Sequence, residues 1–482
     1  MKRLSILVLA AGTMLAGCNL APDYARPQGA VPASLPEGGV YPAAATDAPD
    51  ITKVGWRSFF VDPRLRDVIQ LGLDNNRDLR LAAANVLQAR AQLRVQRADQ
   101  LPTIGATGDA TFTNTAATAA ASGGATGTRD IETYSVGAGL SAFEIDLFGR
   151  LANLSRAAQE QLLAAEWAQR STRISLIAQI AEAWLKLAAD REQLRIAQAT
   201  LQTYADTLHL TQEQFRIGVA SELEAKQAEA GYQAALADIA TLETTIAQDR
   251  NALNLLAGTT VGDALLPNGL DEGPFTLDAL PGSLSSDVLL RRPDVIQAEH
   301  LLIAQNANIG AARAAMFPTI SLTATLGTVS SALSGLFSDG SFTYSAGPSI
   351  GLPIFDAGRR QGNVAYAEAS QQAAVATYEK TVQTAFREVS DALALRGRID
   401  TRVDAQTARA DAAQTAARLS DARYRAGVDS FLGALDSQRT AYAAQQQLVT
   451  VRLLRATNLV ELYRALGGGL ADETVTPDGT QR

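Results

Sequence analysis

Cysteine is almost missing from this chain: Cys18 is the only one in 482 residues. That excludes a disulfide framework, and with His209 and His300 as the only imidazoles it also excludes a Cys/His zinc cluster. Aromatic residues make up 6% of the sequence, so bulky rings are not what packs most of it. Basic residues are not in surplus: 42 Lys and Arg face 50 Asp and Glu, a net charge of −8, and no nucleic-acid partner is expected. A Gly-Lys-Ser/Thr phosphate loop is lacking, so the chain does not power work by itself. Neither histidine has a Ser or Cys nucleophile near it in sequence, and no enzyme, metal site or soluble cofactor is expected. No charge-free apolar stretch reaches the ~20 residues that a helical membrane span requires. What the chain has instead is 47% apolar content weighted toward alanine, with 37 glycines, which points to helices and strands that pack closely through small residues.

The N-terminus carries an export signal. Lys2 and Arg3 precede the apolar run Leu4–Leu15, then small Ala16 and Gly17, the pattern of a cleavable secretory segment. Leu15-Ala16-Gly17-Cys18 looks like a bacterial lipobox, which would make Cys18 the lipidated first residue of the mature chain. Asn19 stands where an Asp would resemble an inner-membrane retention signal, so a lipid anchor in the Gram-negative outer membrane is expected, with a large periplasmic part. The Pro-, Ala- and Gly-rich residues that follow read as an extended tether.

The chain then repeats itself with a period of about 210 residues. Leu101-Pro102-Thr103-Ile104 returns as Phe317-Pro318-Thr319-Ile320, and Phe215-Arg216-Ile217-Gly218-Val219-Ala220-Ser221 as Tyr424-Arg425-Ala426-Gly427-Val428-Asp429-Ser430. Matches in the same order imply a duplicated unit, far longer than any solenoid repeat. The expected organisation is a signal peptide (1–17), a lipidated tether (18–60), a first repeat (61–270), a second repeat (271–468) and a C-terminal tail (469–482).

Each repeat holds two segments of strict alternation, predicting strands near 102–114, 131–145, 318–330 and 341–355. Ile104, Ala106, Ala110 and Phe112 alternate with Gly105, Thr107, Asp109 and Thr111, and Phe342, Tyr344, Ala346, Pro348 and Ile350 with Thr343, Ser345, Gly347 and Ser349. An apolar face backed by Ser, Thr and Gly suits a membrane barrel with a wet interior, although a sheet half-buried under helices would alternate too. Four strands cannot close a barrel, whose smallest form has about 8, so copies of the chain must share one. Segments Asn114–Asp130 and Ser331–Gly340 read as loops between strands, and Pro348 suits an edge.

The remainder reads as helix. Arg150 to Ile217 contains neither Pro nor Gly, and a helix of that length would extend about 100 Å. Arg359 to Ala426 repeats it, interrupted only by Gly362 and Gly397. Asp62–Gln100, Gly218–Gly258, Pro293–Met316 and Asp429–Gly467 are the shorter companions. The fold class is thus mainly α with a membrane β-barrel: a long α-helical barrel joined to four strands per chain.

Several phrases carry a resemblance: Pro22-Asp23-Tyr24, Trp56-Arg57-Ser58-Phe59-Phe60, Arg291-Arg292-Pro293-Asp294-Val295 with Ala298-Glu299, and Ala307-Asn308-Ile309-Gly310. From the lipobox to Gly468 the sequence resembles the TolC-type outer-membrane efflux proteins, in particular the lipoprotein branch that serves RND drug-efflux pumps. One departure is Arg57, where relatives commonly have a second tryptophan. The resemblance implies a homotrimer with a shared 12-stranded barrel, a periplasmic helical tunnel and an equatorial collar. It also implies two partners, a periplasmic adaptor (membrane fusion) protein and an inner-membrane RND-type transporter. A type I protein secretion channel shares this fold, and a non-conducting envelope lipoprotein would account for the helices but not the strands.

Two sets of residues follow for function. The Gly-Val turns would be the tips that meet the adaptor: Arg216, Gly218, Val219 and Ser221 in the first, Arg425, Gly427, Val428, Asp429 and Ser430 in the second. Read without the resemblance, the same glycines are helix C-caps. Leu432 and Asp436 are spaced i and i+4, so they share one helix face. In the resembling branch, the Leu and Asp of Tyr-Arg-x-Gly-Val-Asp-x-x-Leu-x-x-x-Asp line a channel gate, and Tyr424 through Asp436 match that phrase. The charge pattern alone allows Asp436 to pair with Arg439 or Arg425.

Overall fold

A computed structural model describes residues 19–42, 54–116, 128–270, 273–277 and 285–468; the signal segment, Cys18 and the tail 469–482 lie outside the described residues. In chain order the main elements are α1 (Pro63–Asn75), α2 (Arg77–Ala98), β1 (Ile104–Ala116), β2 (Thr128–Glu144), α3 (Arg150–Arg216), α4 (Glu222–Ala257), α5 (Pro293–Ala314), β3 (Thr319–Ser330), β4 (Phe342–Gly351), α6 (Arg359–Arg425) and α7 (Phe431–Ala465). The described residues are therefore mainly helical, with four strands. Helices α3 and α6 each run 67 residues, and neither Gly362 nor Gly397 breaks α6.

The starts of the two long helices are copies of one device. Asp146 accepts from the backbone N–H of Arg150 at 2.6 Å and of Ala152 at 2.8 Å, and Asp356 accepts from Gly358 and Arg360 at 3.1 and 3.3 Å. A carboxylate there satisfies orphan amides and faces the positive end of the helix dipole. The duplicated Asp-x-x-Gly-Arg and Asp-x-Gly-Arg phrases were visible in the sequence but do not stand out beside longer matches.

One expected helix is two. The stretch Asp62–Gln100 breaks at Asn76, whose backbone is extended at φ −60° and ψ 138°. Asn76 ends α1 and starts α2 at once: its N–H reaches the Gly72 carbonyl, its Oδ1 accepts from the Leu79 N–H at 3.0 Å, and its Nδ2 donates to the Leu256 carbonyl. Helix propensity across the stretch gave way to a side chain able to cap.

The chain forms two compact units, each drawing segments from both repeats. Its first unit comprises, of the described residues, 19–27, 85–116, 128–165 and 298–378 and contains the sheet, an antiparallel array in the order β1-β2-β3-β4. Pairing of β1 with β2 continues to Ala116 and Thr128, further than the loop expected over 114–130 allows. The last strand stops at Gly351, ahead of Pro353, rather than reaching 355. Pro348 sits in β4, an edge strand of this sheet, where a missing N–H is tolerated.

One face of the sheet presents Ile104 (75% exposed), Phe112, Leu326, Tyr344 (80%) and Ile350 to the surroundings, exposures that water does not favour. Register brings the aromatics to one end, with Phe112 edge-on to Tyr134 at 5.8 Å, while Phe148 stacks on Phe317 at 4.6 Å beyond the other end. Aromatic bands flanking an apolar belt are the marks of a transmembrane sheet. The other face is lined with small polar groups, with hydroxyl pairs Ser321–Ser349 and Thr325–Ser345 each at 2.7 Å.

The described part of the expected tether, residues 19–42, forms a docked strap. In the first unit Arg26 gives two hydrogen bonds of 2.8 Å to Glu299, Tyr24 gives one of 3.0 Å to the same carboxylate, and Asn306 donates to the Pro22 carbonyl. Burial and the Glu299 charge raise the Tyr24 pKa, keeping its hydroxyl a donor. Gly310 leaves the room this needs, since a Cβ there would lie 2.8 Å from Ala21 and Asn153. In the second unit the strap pairs Ser34 with Ser285, buries Leu35, and lays the Val40 carbonyl against Gly397. Tether composition signals an extended backbone; the docking comes from contacts distant in sequence.

The second unit, drawn from the described residues of 28–84, 166–297 and 379–468, has an aromatic centre despite the aromatic-poor composition. Phe59 stacks on Tyr463 at 4.2 Å, and fully buried Trp184 donates to the Leu265 carbonyl at 2.9 Å. Arg57, in place of a second tryptophan, lays its guanidinium 4.5 Å over the Trp56 ring. The Arg-Arg-Pro-Asp phrase resolves into a buried junction: Arg292 donates to Asp294, Glu388 and the Ala465 carbonyl, and Pro293 opens α5.

Between α3 and α4 in this unit, Lys186 bridges Asp190 (2.9 Å) and Asp249 (2.5 Å). Burial, then the neighbouring Asp249, push the Asp190 pKa up to about 6. Its folded pKa exceeds its unfolded value of 3.8, so the native state binds the extra proton and loses stability as pH rises from about 4 through 6. Asp190→Asn should flatten that slope and stabilise the protein at neutral pH by about 1 kcal/mol, after discounting for partial exposure. Melting curves between pH 4 and 7 measure it; an unchanged slope would refute the assignment.

Candidate functional site

The two tips are built by one local rule. At the end of α3, the Gly218 N–H reaches the Phe215 carbonyl at 3.0 Å and the Val219 N–H the Gln214 carbonyl at 2.8 Å; at the end of α6, Gly427 reaches Tyr424 at 2.9 Å and Val428 reaches Arg423 at 3.0 Å. This paired pattern is a Schellman cap, and it requires the left-handed backbone seen at Gly218 (φ 78°) and Gly427 (φ 72°). The C-cap reading of these glycines is thus correct as local structure.

The helices that follow are capped by serine. Ser221 and Glu224 form a reciprocal capping box, the Ser221 N–H donating to Glu224 at 2.8 Å. Ser430 accepts from the Gly433 N–H at 3.2 Å, while its own N–H donates to the preceding Asp429 at 3.1 Å rather than to an acid three residues on.

Above the turns the two hairpins are laced together. Tyr204, Ala228, Ala235, Phe431 and Leu435 form a buried cluster with Tyr424 packed against it. The Tyr424 ring stands edge-on to Phe431 at 5.7 Å and its hydroxyl donates to Gln214 at 2.6 Å, joining one tip to the other. Tyr442 makes a second tie, to Asp238 at 3.1 Å.

The tips differ in what they show outward. The first exposes Phe215, Ile217, Val219 and Leu223, with Val219 73% exposed. The second exposes Val428 and Leu432 but surrounds them with ion pairs, Arg423–Asp429 at 3.2 Å and Arg425–Asp421 at 2.8 Å. Arg216 is held by Glu213. The sequence match of the two turns conceals this inequality, which lies at the positions where the matched phrases differ, Phe215 against Tyr424, Ile217 against Ala426 and Ala220 against Asp429.

Leu432 and Asp436 lie together on the exposed face of α7, opposite buried Phe431, Ala434, Leu435 and Gln438. Arg425 is engaged with Asp421, and among the described residues neither it nor Arg439 pairs with Asp436. A carboxylate and an apolar side chain one turn apart, both facing outward, can present charge and a seal to whatever lies opposite.

The family model described as outer membrane efflux protein matches residues 68–259 and 284–468, once over each repeat. The probable efflux pump outer membrane protein TtgC of Pseudomonas putida is 44% identical, over 96% of this chain and 94% of that protein. A membrane protein from Pseudomonas aeruginosa superposes with a TM-score of 0.86 at 37% identity, covering 95% of this chain and 99% of that one. The open state of the Neisseria gonorrhoeae MtrE outer membrane channel gives 0.82 at 36% identity, covering 95% and 100%.

The tip geometry makes one energetic prediction. A Cβ at residue 427 would meet nothing within 4 Å, so Gly427→Val costs only the left-handed backbone of a β-branched residue, about 1–2 kcal/mol. Thermal unfolding should show a loss of that size; a larger one would mean the tip is packed rather than open.

Proposed function

Because the chain belongs to the outer membrane efflux protein family, we propose that it is the exit channel of a tripartite pump, passively conducting drugs or other small molecules out of the cell. Three copies share a barrel of 12 strands, and their helices continue it as a conduit through the periplasm. A sheet of four strands per chain permits 8, 12 or 16, and the family resemblance selects 12. The observation that carries this reading is that sheet: an apolar face, a small polar face and two open edges, joined directly to 67-residue helices.

Energy comes from elsewhere, through a periplasmic adaptor (membrane fusion) protein and an inner-membrane RND-type transporter. The two tips are the adaptor contacts. Their inequality suits a partner that offers an apolar recess to Val219 and its neighbours and polar groups to Arg425, Asp429 and Ser430. Cys18 carries lipid and fixes the mature N-terminus to the outer membrane, while the barrel inserts on its own. Cys18→Ser should therefore lose acylation and keep the barrel; equal incorporation of labelled fatty acid into the mutant would sink the lipid assignment.

Leu432 and Asp436 form the gate. Three copies would place three carboxylates and three leucines around the axis, a negative ring favouring cations beside an apolar seal. Their joint exposure and the unpaired state of Asp436 support the assignment. Leu432→Ala with Asp436→Ala should raise single-channel conductance in planar bilayers and weaken cation preference. Wild-type conductance and selectivity in that variant would move the constriction elsewhere.

A further inference from the structure

The polar face of the sheet carries one charge in mid-strand, Asp109, and register settles which face it occupies. Asp109 pairs with Ser135 and Ser135 with Val329, so these odd-numbered positions share the side that holds the hydroxyl pairs Ser321–Ser349 and Thr325–Ser345. The irregularity in β2, between Leu140 and Phe143, lies beyond this stretch and leaves the parity intact. Through β1 the polar side reads Gly105, Thr107, Asp109, Thr111 and Thr113, while Ile104, Ala106, Ala110 and Phe112 take the apolar one.

The other charged strand residues stand toward the ends of the strands. Asp130 accepts from Asn114 at 2.5 Å, Glu132 accepts from the Tyr134 hydroxyl at 3.2 Å, and Glu144 is held by Arg150. Arg129 pairs with Thr115, about 20 Å along the strand from Asp109. Strands β3 and β4 contain no charged residue. Asp109 itself is exposed and has no hydrogen-bond or ionic partner among the described residues. The lining around it is low: Gly105 pairs with Gly139 and Gly137 with Gly327, and a Cβ at Gly139 or Gly327 would lie 2.3 Å from a carbonyl oxygen of the adjacent strand. The carboxylate therefore stands out from a wall of glycine and hydroxyl groups.

A closed barrel of 12 strands is roughly 24 Å across at the backbone, from strand spacing and tilt. Three inward carboxylates at one level then leave no point of the cross-section more than about 10 Å from one of them, a single Debye length at 0.1 M salt. On the shared-barrel reading β4 of the next copy lies beside β1, and it brings no cation to neutralise Asp109. We propose that Asp109 selects cargo by charge: three copies form a negative ring inside the barrel, in addition to the ring at Asp436, and favour cationic over anionic small molecules. The proposal rests on the shared-barrel reading and adds to it a residue that determines specificity.

Reversal potentials of the full-length protein in planar bilayers under a KCl gradient test it. Asp109→Asn removes the charge at constant shape, and Asp109→Lys inverts it. The potassium-to-chloride permeability ratio should fall about twofold or more in the first and further in the second. That difference from wild type should be largest near 0.01 M salt, where the Debye length is about 30 Å, and vanish near 1 M, where it is about 3 Å. The same substitution combined with Leu432→Ala and Asp436→Ala should remove cation preference that those two changes leave. A ratio unchanged by Asp109→Asn at low salt in both backgrounds, in a protein whose native mass is that of a multimer, overturns the ring and leaves the shared barrel standing. A monomer by native mass overturns both.

Discussion

Backbone groups on the edges of a sheet cannot be left unpaired in hydrocarbon, and this constraint governs the rest of the molecule. Each lone N–H or C=O there costs several kcal/mol, and β1 and β4 each present a full row of them. A chain with only four strands has no way to remove its own edges. On the shared-barrel reading proposed above, other copies pair those edges, and the helices attached to the strands are carried into the same arrangement.

Duplication supplies the rest at low cost in new information. The same aspartate caps both long helices, and the same Schellman turn closes both tips. Where the halves differ, they differ at single positions in and around the repeated phrase: a capping box at Ser221 but not at Ser430, Ile217 against Ala426, Ala220 against Asp429, and two ion pairs at the second tip against the Arg216–Glu213 pair at the first. Small residues let both halves pack closely, as in the buried contact of Ala157 with Ala304 and Ala307, which explains how so few aromatics suffice. The rings that exist are concentrated where they matter, around Phe59, Tyr463 and Trp184 and at the ends of the sheet.

Much of this was legible in the sequence, because the signals are local and repeated. Alternation gave the four strands, the lack of Pro and Gly gave the long helices, and Gly-Val after a helix gave the turns. The misses share a different origin. The break at Asn76 depends on a side chain choosing to cap instead of continuing a helix, and Asp74-Asn75-Asn76 was its only local sign. The Arg292 junction and the strap depend on partners a hundred or more residues away, which periodicity does not register. For the gate, spacing placed Leu432 and Asp436 on one face, but only the structure shows that Arg425 is occupied by Asp421.

The strap also has a consequence in time. Tyr24 meets Glu299 across 275 positions, Asn306 meets Pro22 across 284, and Arg398 meets Gly39 across 359. Closing loops of that span is entropically unfavourable until the surfaces they join exist, so such contacts form late. The strap is made first during synthesis and settles last, after α5 and α6 have both been built. Gly310 and Gly397 keep its berth open meanwhile, and a chain truncated before α6 would keep the strap's contacts on α5 but lose those of Arg398 and Gly397.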